Sequence, residues 1–295
     1  MKLYLLVLSL LSAVGLCAHD GVYDVDLIVF SKDRPLQLYA FLESLANHAK
    51  GFHKITVLCH AKNEQIARVY EQVRQAIPVF EFVYQSRENP RRDFKPLLCS
   101  LVDHSHAKYL IFAVDDIIVT DSFDIQECAK LLEQTKAYGF YLRLGKDILG
   151  CFTEHRETGL PQLYPVEGGI GVLWQFNTGQ GDWRYPNTVD MTLFPKTTVM
   201  QACRQLQYHS PNTFEGTWSG HANMHAYGLC FESSKMINIP LNLVQTDWKN
   251  PITNTFTAEQ LLELFAKGYK MDVAALHKYP HKAPHVAAVP TFVKR

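Results

Sequence analysis

Short apolar runs alternate with helical patterns over the first part of the 295-residue chain, and this alternation constrains its fold more than any other feature. Residues 25–30, 55–59, 79–84 and 109–114 are apolar runs of strand length. Apolar side chains recur at helical spacing between these runs, most clearly over residues 94–102. Strands that alternate with helices predict an α/β fold with a doubly wound, mostly parallel sheet.

The pattern changes in the second half of the chain. A helix is predicted from about Asp124 to Ala137, and strand-like pieces follow at 140–144 and 170–176. Residues 179–220 are irregular, aromatic and polar, and so long a loop-rich stretch is uncommon unless it builds a site. We expect one domain over residues 19–295, with halves at about 24–139 and 140–295.

The charges of the chain balance. Twenty-nine Lys and Arg residues face twenty-nine Asp and Glu residues, so the formal net charge is zero and no global basic field predicts a nucleic-acid partner. An anion would therefore need a local cluster, and Arg87, Arg91, Arg92 and Lys95 form one after the third strand. The cluster is either an anion site or a solvated face, because Arg suits phosphate but charge runs are often only solvated.

The N-terminus indicates export. Lys2 precedes an apolar stretch at 3–16, and residues 16–18 resemble the end of a signal peptide. We predict that residues 1–18 are a signal peptide or a short membrane anchor, with membrane association through residues 3–16. The protein would then be secretory or membrane-associated, and otherwise cytoplasmic. Six cysteines follow without a C-x-x-C pair, which favours small core residues over disulfides or a zinc site.

Two adjacent carboxylates, Asp115 and Asp116, follow the fourth apolar run. Ligands of open α/β sheets bind at the carboxyl ends of the strands. A hard divalent cation, Mn²⁺ or Mg²⁺, would compensate the two charges and bridge to substrate phosphates. The loop after the first strand begins at Ser31. In this loop, Arg34 could pair with phosphate and Asp33 could accept a hydrogen bond from a base or ribose. The alternatives are ordinary turns, in which Asp is common.

Candidates for the chemistry also lie in the second half. Trp183 could stack on a sugar ring, and Asp190 in the same loop could orient an acceptor. Glu215 is the first choice for a general base and Asp190 the second, because partial burial near Trp218 would raise the pKa of Glu215 toward the working range. The alternatives are an aromatic minicore around Trp183 and a helix-start acid at Glu215.

Several segments together resemble the GT-A glycosyltransferases. Residues 25–35 resemble their first strand and nucleotide loop, and 114–116 resembles a variant of their D-x-D element. The stretches WRYPNTVD, PNTFE, NIPLNLVQ and GYKMDVAALHK…APH are similar to a little-described bacterial glycosyltransferase-like group. The resemblance covers most of residues 24–295. It implies a GT-A-like nucleotide-binding first half, an acceptor-side second half, and a late histidine, His285 or His277, on the metal.

We therefore expect a transferase that moves a sugar from a nucleotide-diphosphate donor to a hydroxyl of a glycan or lipid-linked acceptor. Glu215 or Asp190 would deprotonate the acceptor. The residues expected to bind the nucleotide sugar are Ser31, Asp33, Arg34, Arg92, Asp115 and Trp183. The residues expected to bind Mn²⁺ or Mg²⁺ are Asp115, Asp116 and His285.

Two other functions stay open at the level of sequence. One is an exported, non-enzymatic glycan-binding protein on a transferase-like fold, which the signal-like N-terminus favours. The other is a sugar nucleotidyltransferase, which would need a glycine-rich phosphate loop soon after the first strand. That loop contains S-K-D-R-P instead, which counts against this second alternative.

Overall fold

The computed structural model of the chain describes residues 23–78, 80–248, 251–253 and 255–295. The predicted signal segment, residues 1–18, lies outside the described residues. The described part contains seven α-helices: α1 (Pro35–His48), α2 (Glu64–Ala76), α3 (Pro90–His104), α4 (Ile125–Thr135), α5 (Lys196–Gln205), α6 (Pro211–Ser219) and α7 (Ala258–Ala266).

Nine strands of the described part form one large sheet. They are β1 (Val25–Lys32), β3 (Lys54–His60), β4 (Glu81–Tyr84), β5 (Tyr109–Val114), β8 (Gly139–Tyr141), β11 (Tyr164–Pro165), β12 (Gly171–Gln175), β13 (Thr192–Pro195) and β14 (Tyr227–Phe231). Shorter strands form four separate pairs: β2 (Ala49–Lys50) with β7 (Phe123–Asp124), β6 (Ile117–Val119) with β15 (Met236–Asn238), β9 (Gly150–Cys151) with β10 (Arg156–Glu157), and β16 (Tyr269–Met271) with β17 (Phe292–Lys294).

The large sheet is mostly parallel, as predicted. Its order is β11-β12-β14-β8-β13-β5-β1-β3-β4. The pairs β1·β3, β1·β5, β3·β4 and β14·β8 are parallel, whereas β12 and β13 are antiparallel to their neighbours. Seven of the nine strands therefore run in one direction, and β12 and β13 run in the other. Each parallel strand of the first half ends at the same edge of the sheet.

Helices cover both faces of this sheet and bury its central strands on both sides. In β1, Leu27 and Val29 join one apolar core while Ile28 and Phe30 join the other. Helices α1, α2, α4 and α7 pack on the first core, and α3, α5 and α6 pack on the second. The near-continuous apolar runs in the sequence reflect this two-sided burial, which is typical of parallel sheets. The α/β, doubly wound fold class is confirmed.

Some predicted boundaries were wrong. The helical spacing over residues 94–102 predicts a helix capped by Asp93, but α3 begins at Pro90, because proline suits the first helical position. The Asp93 carboxylate instead accepts from the Ser86 amide at 2.8 Å. The stretch 179–220, predicted as irregular, contains β13, α5 and α6. These elements are short, and their few apolar residues give only a weak periodic signal in the sequence.

The cysteines are core residues, as predicted. The six cysteines from Cys59 onward are free thiols, all buried except the half-buried Cys99. Within the described part, no helix combines the length and the apolar character that crossing a membrane requires.

Candidate functional site

A cleft of about 910 Å³ opens where the parallel strands of the first half end. The ends of β1, β3 and β5 supply one part of its lining, and the start of β13, helix α6 and the segment 238–247 supply another. The polar residues of this lining include Ser31, Arg34, His60, Asp115, Asp116, Asp190, Glu215, Asn242 and His285.

The fold explains why two acid groups meet in this cleft. Strand β5 ends at Val114, directly before Asp115 and Asp116. Strand β13 is antiparallel to β5, with Thr192 opposite Phe112, so β13 begins at the edge where β5 ends. Asp190 precedes this start and therefore lies at the same edge. Asp115 and Asp190 are 75 residues apart in the sequence, and the antiparallel pairing of β13 with β5 brings them together.

Arg34 bridges the first acid group. Its Nη1 donates to Asp115 at 3.1 Å and to Asp116 at 3.0 Å, and its Nε donates to the Asn242 side chain at 2.9 Å. Its Nη2 donates to the Asn242 carbonyl. The neighbouring Asp33 adopts a left-handed conformation (φ +56°), which Asp tolerates better than most residues. This turn precedes α1 and directs Arg34 into the cleft rather than into solvent.

Asp115 is the more deeply buried of the two acids. Its Oδ2 accepts from the Ser31 hydroxyl at 2.8 Å and from the Lys32 amide at 3.2 Å. Burial raises its pKa to about 6, the negative charge of Asp116 adds to this effect, and the Arg34 guanidinium opposes it. The pair is thus held by a fixed protein cation and by hydrogen bonds to the first strand.

The acid pair is not arranged as a cation site. The two oxygens of Asp115 accept from Arg34, Ser31 and Lys32, and the two oxygens of Asp116 accept from Arg34 and Asn238. Each of these oxygens keeps at most one lone pair, and the Arg34 guanidinium already lies between the two carboxylates, where Mn²⁺ or Mg²⁺ would have to bind. In the described residues, no group of three or more His, Cys, Asp or Glu side chains is placed to hold a metal. The residues as arranged therefore do not fit the predicted ion.

The second acid group consists of Asp190 and Glu215. The Glu215 Oε1 accepts from the Thr188 hydroxyl at 2.7 Å and from the Val189 amide at 2.9 Å, which ties α6 to the segment before β13. The carboxylate of Asp190 makes no hydrogen bond within the described part of the chain. Burial raises the pKa of both acids to about 7; Asp116 adds to the effect at Asp190, and Asp190 adds to it at Glu215.

His285, the predicted metal histidine, lies beside Asp190. Its Nε2 is 3.5 Å from the Asp190 Oδ2. The C-terminal segment reaches this position through a bridge between Asn238 and His285, with the Val286 amide donating to the Asn238 carbonyl at 2.9 Å. The other predicted metal histidine, His277, stacks on a histidine of α1 outside the lining of the cleft.

Two residues predicted to touch the nucleotide sugar are not part of the cleft lining. Trp183 is fully buried, and its indole N–H donates to the Ile148 carbonyl at 3.0 Å. It packs edge-on against Trp174, so the minicore alternative is correct and stacking on a sugar is excluded. Asp33 is 5% exposed and accepts from the Lys62 amide at 2.7 Å. Its carboxylate holds the loop after β3 instead of facing the cleft.

Most of the predicted basic cluster is engaged in protein contacts. Arg87 pairs with Glu64 at 2.7 Å, and Arg91 pairs with Asp247 at 2.9 Å. The ammonium of Lys95 donates to a main-chain carbonyl at 2.6 Å. Arg92 lines the cleft, as expected of a donor-binding residue. The cluster therefore contributes little free positive charge, and Arg92 is its main candidate for anion contact.

His60 is a functional candidate that the sequence analysis missed. It follows the apolar run of β3, is 5% exposed and lines the cleft. Neither ring nitrogen meets hydrogen-bond geometry with a described residue, although Oδ1 of Asp33 is 3.9 Å from Nδ1. Burial is the dominant effect on the pKa of His60 and lowers it, while Asp33 and the main chain of Arg87 oppose this effect. A polar residue at a carboxyl strand end was the signal that could have identified it.

Asn238 and Asn242 were also missed. They hold Asp116 and Arg34, respectively, and both lie in the stretch NIPLNLVQ that contributed to the resemblance. Their hydrogen bonds join residues more than 120 positions apart. Sequence spacing alone could not reveal such contacts.

No family model matches the chain. Over 263 residues, the chain is 27% identical to the bifunctional glycosyltransferase pgtA of Dictyostelium discoideum. The matched region covers 77% of this chain and 33% of that protein, so the chain spans about a third of the length of this relative.

Two solved structures match the chain by fold with low scores. The structure of S. aureus TarS 1–349 in complex with UDP matches with a TM-score of 0.48 and 10% identity, over 72% of this chain and 59% of that chain. The mannosyltransferase PcManGT from Pyrobaculum calidifontis, in complex with GDP-Man and Mn²⁺, matches with a TM-score of 0.42 and 11% identity, over 76% and 60%. TM-scores below 0.5 are not evidence of a shared activity. The sequence match to pgtA, in contrast, agrees with the resemblance that the motifs indicated: the chain is similar in sequence to a glycosyltransferase.

Proposed function

We propose that this chain transfers a sugar from a nucleotide-diphosphate donor to a hydroxyl of a glycan or lipid-linked acceptor. One observation carries the proposal. A single cleft at the carboxyl edge of the sheet holds both a cation-bridged acid pair, Asp115 and Asp116, and a second pair of buried acids, Asp190 and Glu215. Sequence similarity to a glycosyltransferase supports the same reaction class.

The donor would bind at the ends of the parallel strands. Arg34 and Arg92 line the cleft there, and the exposed guanidinium of Arg92 suits bidentate contact with a diphosphate. His60 lies at the end of the neighbouring strand, and its ring nitrogens have no hydrogen-bond partner in the described part. We infer that His60 contacts the nucleotide, that Arg92 contacts the diphosphate, and that Arg34 holds the acid pair in place beside it.

The acceptor would bind beside the second acid pair. In the transfer, the acceptor oxygen bonds to the anomeric carbon, the bond to the diphosphate breaks with its electron pair, and the acceptor proton moves to a carboxylate. Asp190 is the better placed base because its carboxylate makes no hydrogen bond within the described chain, whereas Oε1 of Glu215 already accepts two. A pKa of about 7 suits a general base at neutral pH.

The nucleotide can be identified by thermal stability. UDP, GDP and CMP are titrated with Mn²⁺ and with EDTA while the melting temperature Tm is followed. A ligand that binds only the folded state stabilises it by about 2.7 kcal/mol at a hundredfold excess over Kd, which raises Tm by about 5 °C for a domain of this size. We expect one nucleotide to produce this rise, and the dependence on Mn²⁺ tests the predicted metal requirement.

Two variants sharpen the result. Asp116→Asn should remove any part of the rise that depends on Mn²⁺, whereas Glu167→Gln, at an exposed loop position, should leave the rise unchanged. If no nucleotide changes Tm, the donor proposal fails and the non-enzymatic alternative is favoured.

A further inference from the structure

A cation of the protein itself lies between the two acids at the end of β5. The guanidinium of Arg34 donates from Nη1 to Asp115 at 3.1 Å and to Asp116 at 3.0 Å. Its Nε donates to the Asn242 side chain, and its Nη2 donates to the Asn242 carbonyl. Every nitrogen of the guanidinium is therefore engaged, and the side chain is only 10% exposed.

The main chain around Arg34 is anchored as well as its side chain. The Arg34 amide donates to the hydroxyl of the buried Tyr70 at 3.1 Å, and this hydroxyl also contacts the Ser31 hydroxyl at 2.6 Å. If the arginine rotated out of the cleft, buried acceptors of Asp115 and Asn242 would lose their donors, which is unfavourable. The fold therefore fixes this guanidinium at the acid pair.

A divalent cation and this guanidinium exclude each other at the pair. Mg²⁺ binds oxygen ligands at about 2.0–2.1 Å and prefers octahedral geometry. An ion that bridged Asp115 and Asp116 would have to take the position of Nη1, which itself bridges them. The two positive charges of the ion would also be repelled by a guanidinium held in a largely buried site. Binding of a cation between these acids therefore requires Arg34 to leave.

Other cations of the cleft can meet the charge of a diphosphate. Besides Arg34, the Lys and Arg residues that line the cleft are Lys32, Arg91, Arg92 and Arg143. Arg91 and Arg143 are paired with aspartates at 2.9 Å and 2.5 Å. Lys32 and Arg92 form no ion pair with a residue of the described chain, so their charges are available to an anion in the cleft.

We propose that Arg34 takes the place of a divalent cation at the acid pair, so that this chain binds a nucleotide diphosphate without a metal ion. Lys32 and Arg92 supply the positive charge for the diphosphate, and Asp115 and Asp116 hold Arg34 instead of an ion. The inference rests on the proposed function and deepens it, because it names protein side chains as the ligands of the diphosphate.

Two measurements on the wild-type protein test the proposal without an activity assay. The signal of free Mn²⁺ in electron paramagnetic resonance reports Mn²⁺ uptake, and calorimetric titration with UDP and GDP reports nucleotide binding in Mn²⁺ and in EDTA. We expect no Mn²⁺ uptake that Asp116→Asn removes. The Kd of the nucleotide that binds should differ by less than about twofold between Mn²⁺ and EDTA.

Arg34→Ala uncovers the two carboxylates and should create a cation site. The variant should bind Mn²⁺ at least about tenfold more tightly than the wild type, because the removed charge lay 3.1 and 3.0 Å from the acids. The titration is made at pH 8, because loss of Arg34 raises the pKa of Asp115 further above its value of about 6. Adding Asp116→Asn to Arg34→Ala should abolish the new site.

Two further variants are matched controls. Arg34→Lys keeps a cation at the pair, and Arg68→Ala removes an exposed arginine of α2 whose charge is 3.8 Å from Glu64. Both should bind Mn²⁺ no more tightly than the wild type, because neither uncovers the acid pair.

Three results would overturn the proposal: Mn²⁺ uptake by the wild type that Asp116→Asn removes, nucleotide binding that EDTA abolishes, or a folded Arg34→Ala that gains no Mn²⁺ site. If Arg34→Ala does not fold, the first two results still decide the question. The proposed function is reported separately. If neither UDP nor GDP binds in Mn²⁺ or in EDTA, the transferase is rejected, while a new Mn²⁺ site in Arg34→Ala would still support Arg34 as the occupant of the cation position.

Discussion

Asp190 and Glu215 are buried acids whose environment disfavours their charged form. Their pKa values of about 7 lie above the ordinary values of exposed Asp and Glu, so the folded protein binds more protons than the unfolded chain between about pH 4 and pH 7. Stability from these groups is therefore fully present below pH 4 and is lost as the pH rises through 7. Functional sites often contain groups with such shifted pKa values.

This linkage gives a testable difference in stability. Asp190→Asn keeps the shape of the side chain but removes its charge, so the variant should gain stability over the wild type above pH 7 and lose that gain near pH 4. One pKa unit corresponds to about 1.4 kcal/mol, and we expect a gain of at least this size at pH 8. Urea denaturation at pH 4.5, 6 and 8 measures it. Glu167→Gln, which replaces an exposed acid, serves as the control. If the gain in stability of Asp190→Asn does not change with pH, burial of a charged carboxylate is not its cause.

At the scale of elements, close packing of strands against aromatic rings is the main constraint. Gly228 lies in β14, where a Cβ would overlap Cη2 of Trp174 and would be 2.7 Å from a ring carbon of Phe176. Both rings are fully buried and cannot move aside without disturbing the core that also contains Trp183. The glycine is required by this close approach rather than by a special backbone angle.

Gly228→Ala should therefore be strongly destabilising. Overpacking of a core costs about 1–3 kcal/mol, and the rigid rings place this substitution at or above the upper end of that range. Gly220→Ala is the matched control, because its Cβ would meet only the Thr217 carbonyl at 3.6 Å and its φ of −70° suits alanine. Chemical denaturation of the two variants measures the difference, and equal stabilities would show that the core around Trp174 relaxes easily.

At the scale of the whole molecule, one sheet links the two halves of the chain. Strands β1, β3, β4 and β5 come from the first half, and β11, β12, β13 and β14 come from the second. The C-terminal segment adds a second link, since the amide of Lys278 donates to the carbonyl of Thr120 at 2.9 Å. The site is thus assembled from parts of the chain that are far apart in sequence.

Hydrogen exchange should reflect this arrangement. Amides of β1 and β5, which are paired on both sides, should exchange most slowly, and those of the edge strands β4 and β11 should exchange orders of magnitude faster. Mass spectrometry after timed labelling measures the protection. Slow exchange confined to the first half, with β8 and β13 unprotected, would contradict a sheet that is shared by both halves.

The first half of the fold could be predicted from the sequence because its signals are local. Two-sided burial gives β1, β3 and β5 continuous apolar runs, and Pro35 marks the start of α1. The second half was predicted less well. Its strands are short, and α5 and α6 are held by contacts with distant residues, so their own periodicity is weak.

What the sequence determined by itself was the class of the sheet and the presence of two carboxylates where the fourth apolar run ends, because strand length, burial and alternation act between near neighbours. Only the tertiary structure decided which groups surround those carboxylates. It turned Arg34 and Asn238 onto the acid pair, buried Trp183 and brought His285 to Asp190. These outcomes depend on contacts between distant segments, whose geometry is set by the packing of the entire chain.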